Sequence, residues 1–301
     1  MVMEGCVFFL VVVLFGLLVY SFGHVKEMDT FSYLRKSPAL SPNGVICTHG
    51  AAGRLNNIIF HERVGLYVAW QLGRTFVAAP EMSNYYDVER MGNMMFPGIH
   101  SYRTVVPYDA SLCNDTVITG VYDIATLKSV IGERGTISGW DLFYKYEPPP
   151  EYFVNAFMGN LFIRPDLTDI VDKFIDDYFG GGPYIAVHLR DLEGGCKSDL
   201  CNPTHDTLMA RVIDTLPESY HNLPIFVASD GQRPDVESTY DGKAVFYRGE
   251  CVGTGCAVID FEICSRANFF VGTSESTTDI DIELWRGNRK NIVGFNFKGI
   301  I

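Results

Sequence analysis

An alternation of apolar strands with amphipathic helices runs through the second half of the chain and limits what it can fold into. "PDLTDIVDKFIDDYF" has helical spacing, "YIAVHL" from Tyr184 reads as a strand and His205 to Leu216 as a helix. "PIFVASD" and "AVFYRG" read as strands, "AVIDFEICSRA" as a helix and "NFFVGT" as a strand, and "SESTTDIDIELW" opens a further helix. Strands and helices alternating at this spacing specify a parallel sheet covered by helices. Such strands are buried on both faces, so they read as continuous apolar runs. The first half starts in the same way: "GVICTHG" reads as a strand, "GRLNN" as a Gly-rich turn, about Leu55 to Leu72 as a helix stopped by Gly73, and a second strand follows. From 81 to 150 the chain is rich in Met, Tyr, Asn and Pro with weak periodicity, and reads as the variable part of a first domain; "YEPPPEYF" marks a break. The expected fold class is α/β, with two Rossmann-like domains facing a cleft, residues 24–165 and 166–301.

Composition sets the size of the core and the kind of ligand. With 301 residues, 47% hydrophobic and 20% charged, core size is no obstacle. The 24 Lys and Arg against 36 Asp and Glu give a net charge of −12. No general attraction to nucleic acid or anionic lipid follows from that balance, so a phosphate-bearing ligand has to be held locally.

Residues 1–23 carry an apolar run from Gly5 that no charge breaks, long enough for a signal peptide or an N-terminal membrane anchor. Ser21 and Gly23 favour cleavage after Gly23. The nearest basic residues, Lys26, Arg35 and Lys36, follow the segment, which argues weakly against a lumenal anchor. A sequon at Asn114, seven cysteines after Cys6 and two close pairs, Cys196 with Cys201 and Cys251 with Cys256, fit an oxidising lumen. The expected location is the secretory pathway, in the ER or Golgi lumen. A four-cysteine zinc site is the rival for those pairs, but its ligands usually come as Cys-x-x-Cys. Cys47, Cys113 and Cys264 remain, at least one of them free or paired outside the chain.

Three strand ends in the second half carry chemistry. "YIAVHLRDLEGGC" starts as a buried strand and ends with His188 and Arg190 directed to one side. In open α/β sheets that end opens onto the ligand crevice, and the Arg fork matches a phosphate. A structural ion pair of Arg190 with Asp191 or Glu193 explains this segment equally well. "ASD" ends at Asp230, and "GTSESTTD" puts Ser274, Ser276, Thr277 and Thr278 at a strand-to-helix turn, where N–H groups and hydroxyls can hold a phosphate. An ordinary Ser/Thr helix cap is the alternative. Arg190 on a neighbouring strand tips the balance towards phosphate. No Walker sequence, HExxH or Gly-x-Ser-x-Gly element is present. The ligand class that remains is a nucleotide diphosphate held without Walker machinery, and a sugar nucleotide suits a secretory compartment.

Four places in the chain carry a family resemblance: "GRLNN" at Gly53 to Asn57, "VHLR" at Val187 to Arg190, "IFVASD", and "DFEICSRANFFVGTSEST". In this order the sequence resembles the GDP-fucose-dependent fucosyltransferases, especially the protein O-fucosyltransferases. The resemblance implies a GT-B-type fold, with an acceptor-side N-terminal domain and a C-terminal domain that binds most of the GDP-sugar. It implies inverting transfer of fucose from GDP-fucose to a hydroxyl of a protein Ser or Thr or of a glycan. Arg190 would hold the β-phosphate and glycosidic oxygen, Asp260 the guanine, and Ser276 with Thr277 the phosphate. His188 and Asp230 would lie in the donor set, and Arg54 with Asn57 would complete the cleft. No metal or other cofactor is required, and GDP-fucose is the donor substrate. The partners implied are that donor and a glycoprotein or glycan acceptor. Glu193 is the first candidate base and Glu62 a second, although a structural role fits either carboxylate as well. Gly194, Asn56 and Thr278 depart from the family's pattern and leave the acceptor class and the base open. His61 reads as a packing histidine. Tyr85, Tyr86, Trp140, Tyr144 and Tyr146 are either an acceptor platform or, more simply, core. The competing function is a catalytically silent GT-B-like glycan-binding or scaffold protein.

Overall fold

A computed structural model of the chain describes residues 39–50, 55–99, 101–113, 116–189, 204–229, 240, 242–249, 251, 254–272, 276–286 and 292–294. The leader, Arg54, Asn114, Arg190, Glu193, Cys196, Cys201 and Asp230 lie outside the described residues. Among the described residues, no helix is long and apolar enough to cross a membrane. Leu40–Ile301 forms one compact unit.

That unit holds two sheets, and every pairing in them is parallel. The first has five strands, β1 (Val45–His49), β2 (Thr75–Val77), β3 (Val105–Val106), β4 (Val117–Ile118) and β5 (Arg134–Ser138), in the order β3-β2-β1-β5-β4. The second has four, β6 (Ile185–Leu189), β7 (Ile225–Ser229), β8 (Phe269–Gly272) and β9 (Ile292–Gly294), in the order β7-β6-β8-β9. The fold is α/β of the GT-B type. Helices α1 (Leu55–Gln71), α2 (Pro80–Tyr85), α3 (Val88–Met95), α4 (Ile124–Val130) and α5 (Gly139–Tyr144) accompany the first sheet. α6 (Glu151–Gly159) and α7 (Pro165–Phe179) lie between the sheets in sequence, and α8 (His205–Thr215), α9 (Thr254–Arg266) and α10 (Thr277–Arg286) follow.

Period-two alternation explains how the second sheet is buried on two faces. Ala186, Phe226, Ala228 and Phe270 join the main core with α1 and α9, while Ile185, Val187, Leu189, Val227 and Val271 join a second cluster with Leu208 and Val212 of α8. His188 is in register with Ala186, on the face that α9 covers. The main cluster runs without a break from Ile46 of β1 to Phe261 of α9 and Ile282 of α10.

α1 spans the range its periodicity predicts, and Gly73, at φ 63, turns the chain after it. Its middle lies so close to the sheet that a Cβ at Gly65 would stand 2.9 Å from Phe76 and 3.0 Å from Thr48. α7 ends at Gly180, left-handed at φ 59. Two expectations need correcting. "AVFYRG" is no strand: it contributes only an isolated bridge from Val245 to Phe226. The weakly periodic middle contains β5, which pairs with β1 over five residues and so lies at the heart of the first sheet. Cys251 is bonded to Cys256, and Cys47 to Cys113, which leaves Cys264 as a buried thiol.

Candidate functional site

The chain runs from β6 outward to β7, then crosses to the other side of β6 to form β8. The order reverses between β6 and β8, and ligands of open α/β sheets bind outside the carboxyl ends of strands at such a switch point. β6 ends there with His188 and Leu189, immediately before Arg190 in sequence, and β8 ends at Gly272, shortly before Ser276 and α10.

His188 is buried, and its Nδ1 lies 2.7 Å from Oδ1 of Asp279 in the first turn of α10. Asp260 of α9 is the other acid close to His188: burial pushes its carboxyl up to about 7, and the field of His188 opposes the shift. The Ser276 carbonyl accepts the N–H groups of Asp279 and Ile280. Its Oγ is buried and has no hydrogen-bond partner among the described residues. Thr277 Oγ1 donates to Oδ1 of Asn57 at 3.0 Å, across 220 residues of sequence. That bond joins the first turns of α1 and α10. Helix N-termini present unsatisfied N–H groups and partial positive charge, so two of them meeting at one point favour an anion.

One turn further along, Arg63 Nη1 reaches Oδ1 of Asp281 at 3.4 Å in the interior. Burial pushes the Asp281 carboxyl up to about 7, Arg63 opposing, and lowers the Arg63 guanidinium from its ordinary value. This pair clamps α1 to α10 beneath the anion position.

Five residues expected at the site lie in this region: Asn57, Ser276 and Thr277 at the joined helix ends, His188 at the end of β6 and Asp260 within the field of His188. Arg190, Glu193, Arg54 and Asp230 lie outside the described residues. Glu62 is placed elsewhere. It is buried in α1, takes the Thr48 hydroxyl on Oε1 and the Ala79 N–H on Oε2 at 2.8 Å, and so ties α1 to the ends of β1 and β2. With its two oxygens engaged in this way, it has a structural role in the first sheet. His61 is likewise buried, against Gly139. Tyr86 and Tyr146 belong to the core, whereas Trp140 and Tyr144 are more than half exposed and stack on one another at 5.2 Å.

The fold has solved counterparts. POFUT1 in complex with GDP superposes with a TM-score of 0.57 at 16% identity, covering 86% of this chain and 100% of that one. NodZ alpha-1,6-fucosyltransferase soaked with GDP-fucose superposes with a TM-score of 0.55 at 16% identity, covering 83% and 93%. In sequence, GDP-fucose protein O-fucosyltransferase 2 of Homo sapiens and that of Pan troglodytes are each 33% identical over 112 residues. In fold, and over those 112 residues in sequence, the chain is similar to O-fucosyltransferases. The match to these curated relatives covers 32% of this chain and 24% of their length. No protein-family model matches the chain.

Within this O-fucosyltransferase-like fold the main omission from sequence was Asp279. It closes the quoted run "GTSESTTD", but nothing local marks it as the partner of a histidine 91 residues earlier. Its position also explains Gly272, where a Cβ would stand 2.8 Å from Asp279 Cγ.

Proposed function

We propose that the chain is a GDP-fucose-dependent glycosyltransferase that moves fucose, with inversion, to a hydroxyl of a secretory-pathway protein or glycan. The observation that carries the reading is the Thr277–Asn57 hydrogen bond, which joins two helix N-termini at the switch point beside His188 and Asp260. A diphosphate seated there would accept N–H groups from α10, the Ser276 hydroxyl and the Asn57 amide. Asp260, once ionised, would accept from the guanine N–H donors.

In this reading Arg190 follows β6 directly and bonds the β-phosphate and the glycosidic oxygen. Its fixed charge meets the negative charge that grows on departing GDP, an interaction stronger in the transition state than in the ground state. Fucose departs with oxocarbenium character while Glu193 takes the acceptor's proton. The reaction in this account needs no metal. The N-terminal half is the acceptor side, where the exposed Trp140–Tyr144 stack offers an aromatic face. The apolar leader and the disulfides at Cys47–Cys113 and Cys251–Cys256 support a location in the ER or Golgi lumen.

The test is calorimetric titration of the full chain with GDP and GDP-fucose, in EDTA and beside Arg190→Ala. The expected result is wild-type binding that survives EDTA and weakens about 30-fold or more in the variant, the cost of losing one partner of a desolvated charge pair. A folded wild type that binds neither nucleotide would overturn the reading and leave the silent scaffold.

A further inference from the structure

Three elements converge on one contact that the donor chemistry above does not by itself require. His188 is supplied by β6, Asp279 by the first turn of α10, and the room for the Asp279 carboxyl by Gly272 at the end of β8. The side chains of the pair are 7% and 1% exposed, and Nδ1 stands 2.7 Å from Oδ1. The Asp279 backbone is fixed as well, since its N–H donates to the Ser276 carbonyl at 3.1 Å. Any side chain at Gly272 would collide with the carboxyl, because even a Cβ would come within 2.8 Å of Cγ and 3.0 Å of Oδ2.

An ionised carboxylate has only acceptor sites, whereas neutral imidazole has one donor nitrogen and one acceptor. At 2.7 Å from an ionised Asp279, Nδ1 therefore carries the proton. We propose that Asp279 is a positioning residue for the donor: it fixes the His188 ring and its tautomer at the donor site. The inference rests on the donor site proposed above. The charge of the ring is also felt by Asp260 of α9.

The test combines two readouts on the full chain. In ¹⁵N-histidine spectra, with the His188 signals identified by their loss in His188→Gln, wild-type His188 is expected to carry its proton on Nδ1. Gly272→Ala and Asp279→Asn are each expected to disturb that pattern. By calorimetry Asp279→Asn is expected to weaken GDP about tenfold, the weight of one charge-assisted hydrogen bond. The double variant with His188→Gln is expected to bind no more weakly than His188→Gln alone. A wild-type His188 with its proton on Nε2 and Nδ1 bare would overturn the inference. So would losses in the double variant that equal the sum of the single ones, the mark of a merely structural Asp279. A wild type that binds no GDP would instead refute the donor site, and the tautomer would remain readable.

Discussion

In the first half of the molecule a buried carboxylate, Glu62, has its oxygens engaged by the Thr48 hydroxyl and the Ala79 N–H of its own sheet. In the second half the carboxylate of Asp260 in α9 is driven by burial up to about 7, and the field of His188 opposes the shift. Each lies near the carboxyl ends of parallel strands, yet one acid is committed to the fold and the other is held at a cost. A buried charge supplied with hydrogen bonds stabilises its surroundings, whereas one that burial disfavours persists only where something else gains. Among the described residues the second sheet therefore carries the stronger candidate for ligand chemistry, and the first supplies a frame that brings Asn57 to it.

Glu62→Ala tests the structural half of this contrast and should have the largest effect. It strips a buried hydroxyl and a buried N–H of their acceptor, so a loss of about 3–5 kcal/mol is expected in denaturant unfolding. GDP affinity per folded molecule should stay the same. A stable Glu62→Ala variant would break the contrast.

Asp260→Asn tests the other half. The folded carboxyl titrates near 7, so the ionised acceptor form is present above that value and is lost as pH falls through it. Wild-type GDP affinity should then decline as pH is lowered below 7, by up to about tenfold per unit. The variant should lose about 30-fold at pH 8, from about 2 kcal/mol of charge-assisted bonding, and should show a flatter profile. Titrations at several pH values compare the two proteins directly. Parallel profiles would remove Asp260 from the donor site.

Thr277→Val should have the smallest effect. Removing the hydroxyl that meets Asn57 is expected to cost about 1 kcal/mol of stability. GDP binding should weaken in step, because the two helix ends lose their tie. A variant that lost stability with GDP affinity intact would show that the tie serves the fold alone.

The parts that were legible in the sequence are those set by local pattern. α1, β6 and β8 stood out because their apolar spacing has a definite period and Gly or Pro bounds them. His188, Ser276 and Thr277 were singled out because strand ends and helix starts concentrate chemistry, whereas Asn57 and Asp260 entered only through the family resemblance. β5 was missed because its residues "RGTIS" show little hydrophobic signal, and its Gly135 is demanded by packing: a Cβ there would stand 2.1 Å from Ile131. Asp279, the Arg63–Asp281 clamp and the Cys47–Cys113 bond depend on contacts far apart in sequence, which periodicity does not encode.

The most direct test of the central claim is amide hydrogen exchange of the full chain with and without saturating GDP. The account predicts added protection at the end of β6, the end of β8 and the first turn of α10, with a smaller effect at the start of α1 and none at Thr75–Val77. Protection confined to the first sheet, or spread evenly over the two, would contradict it.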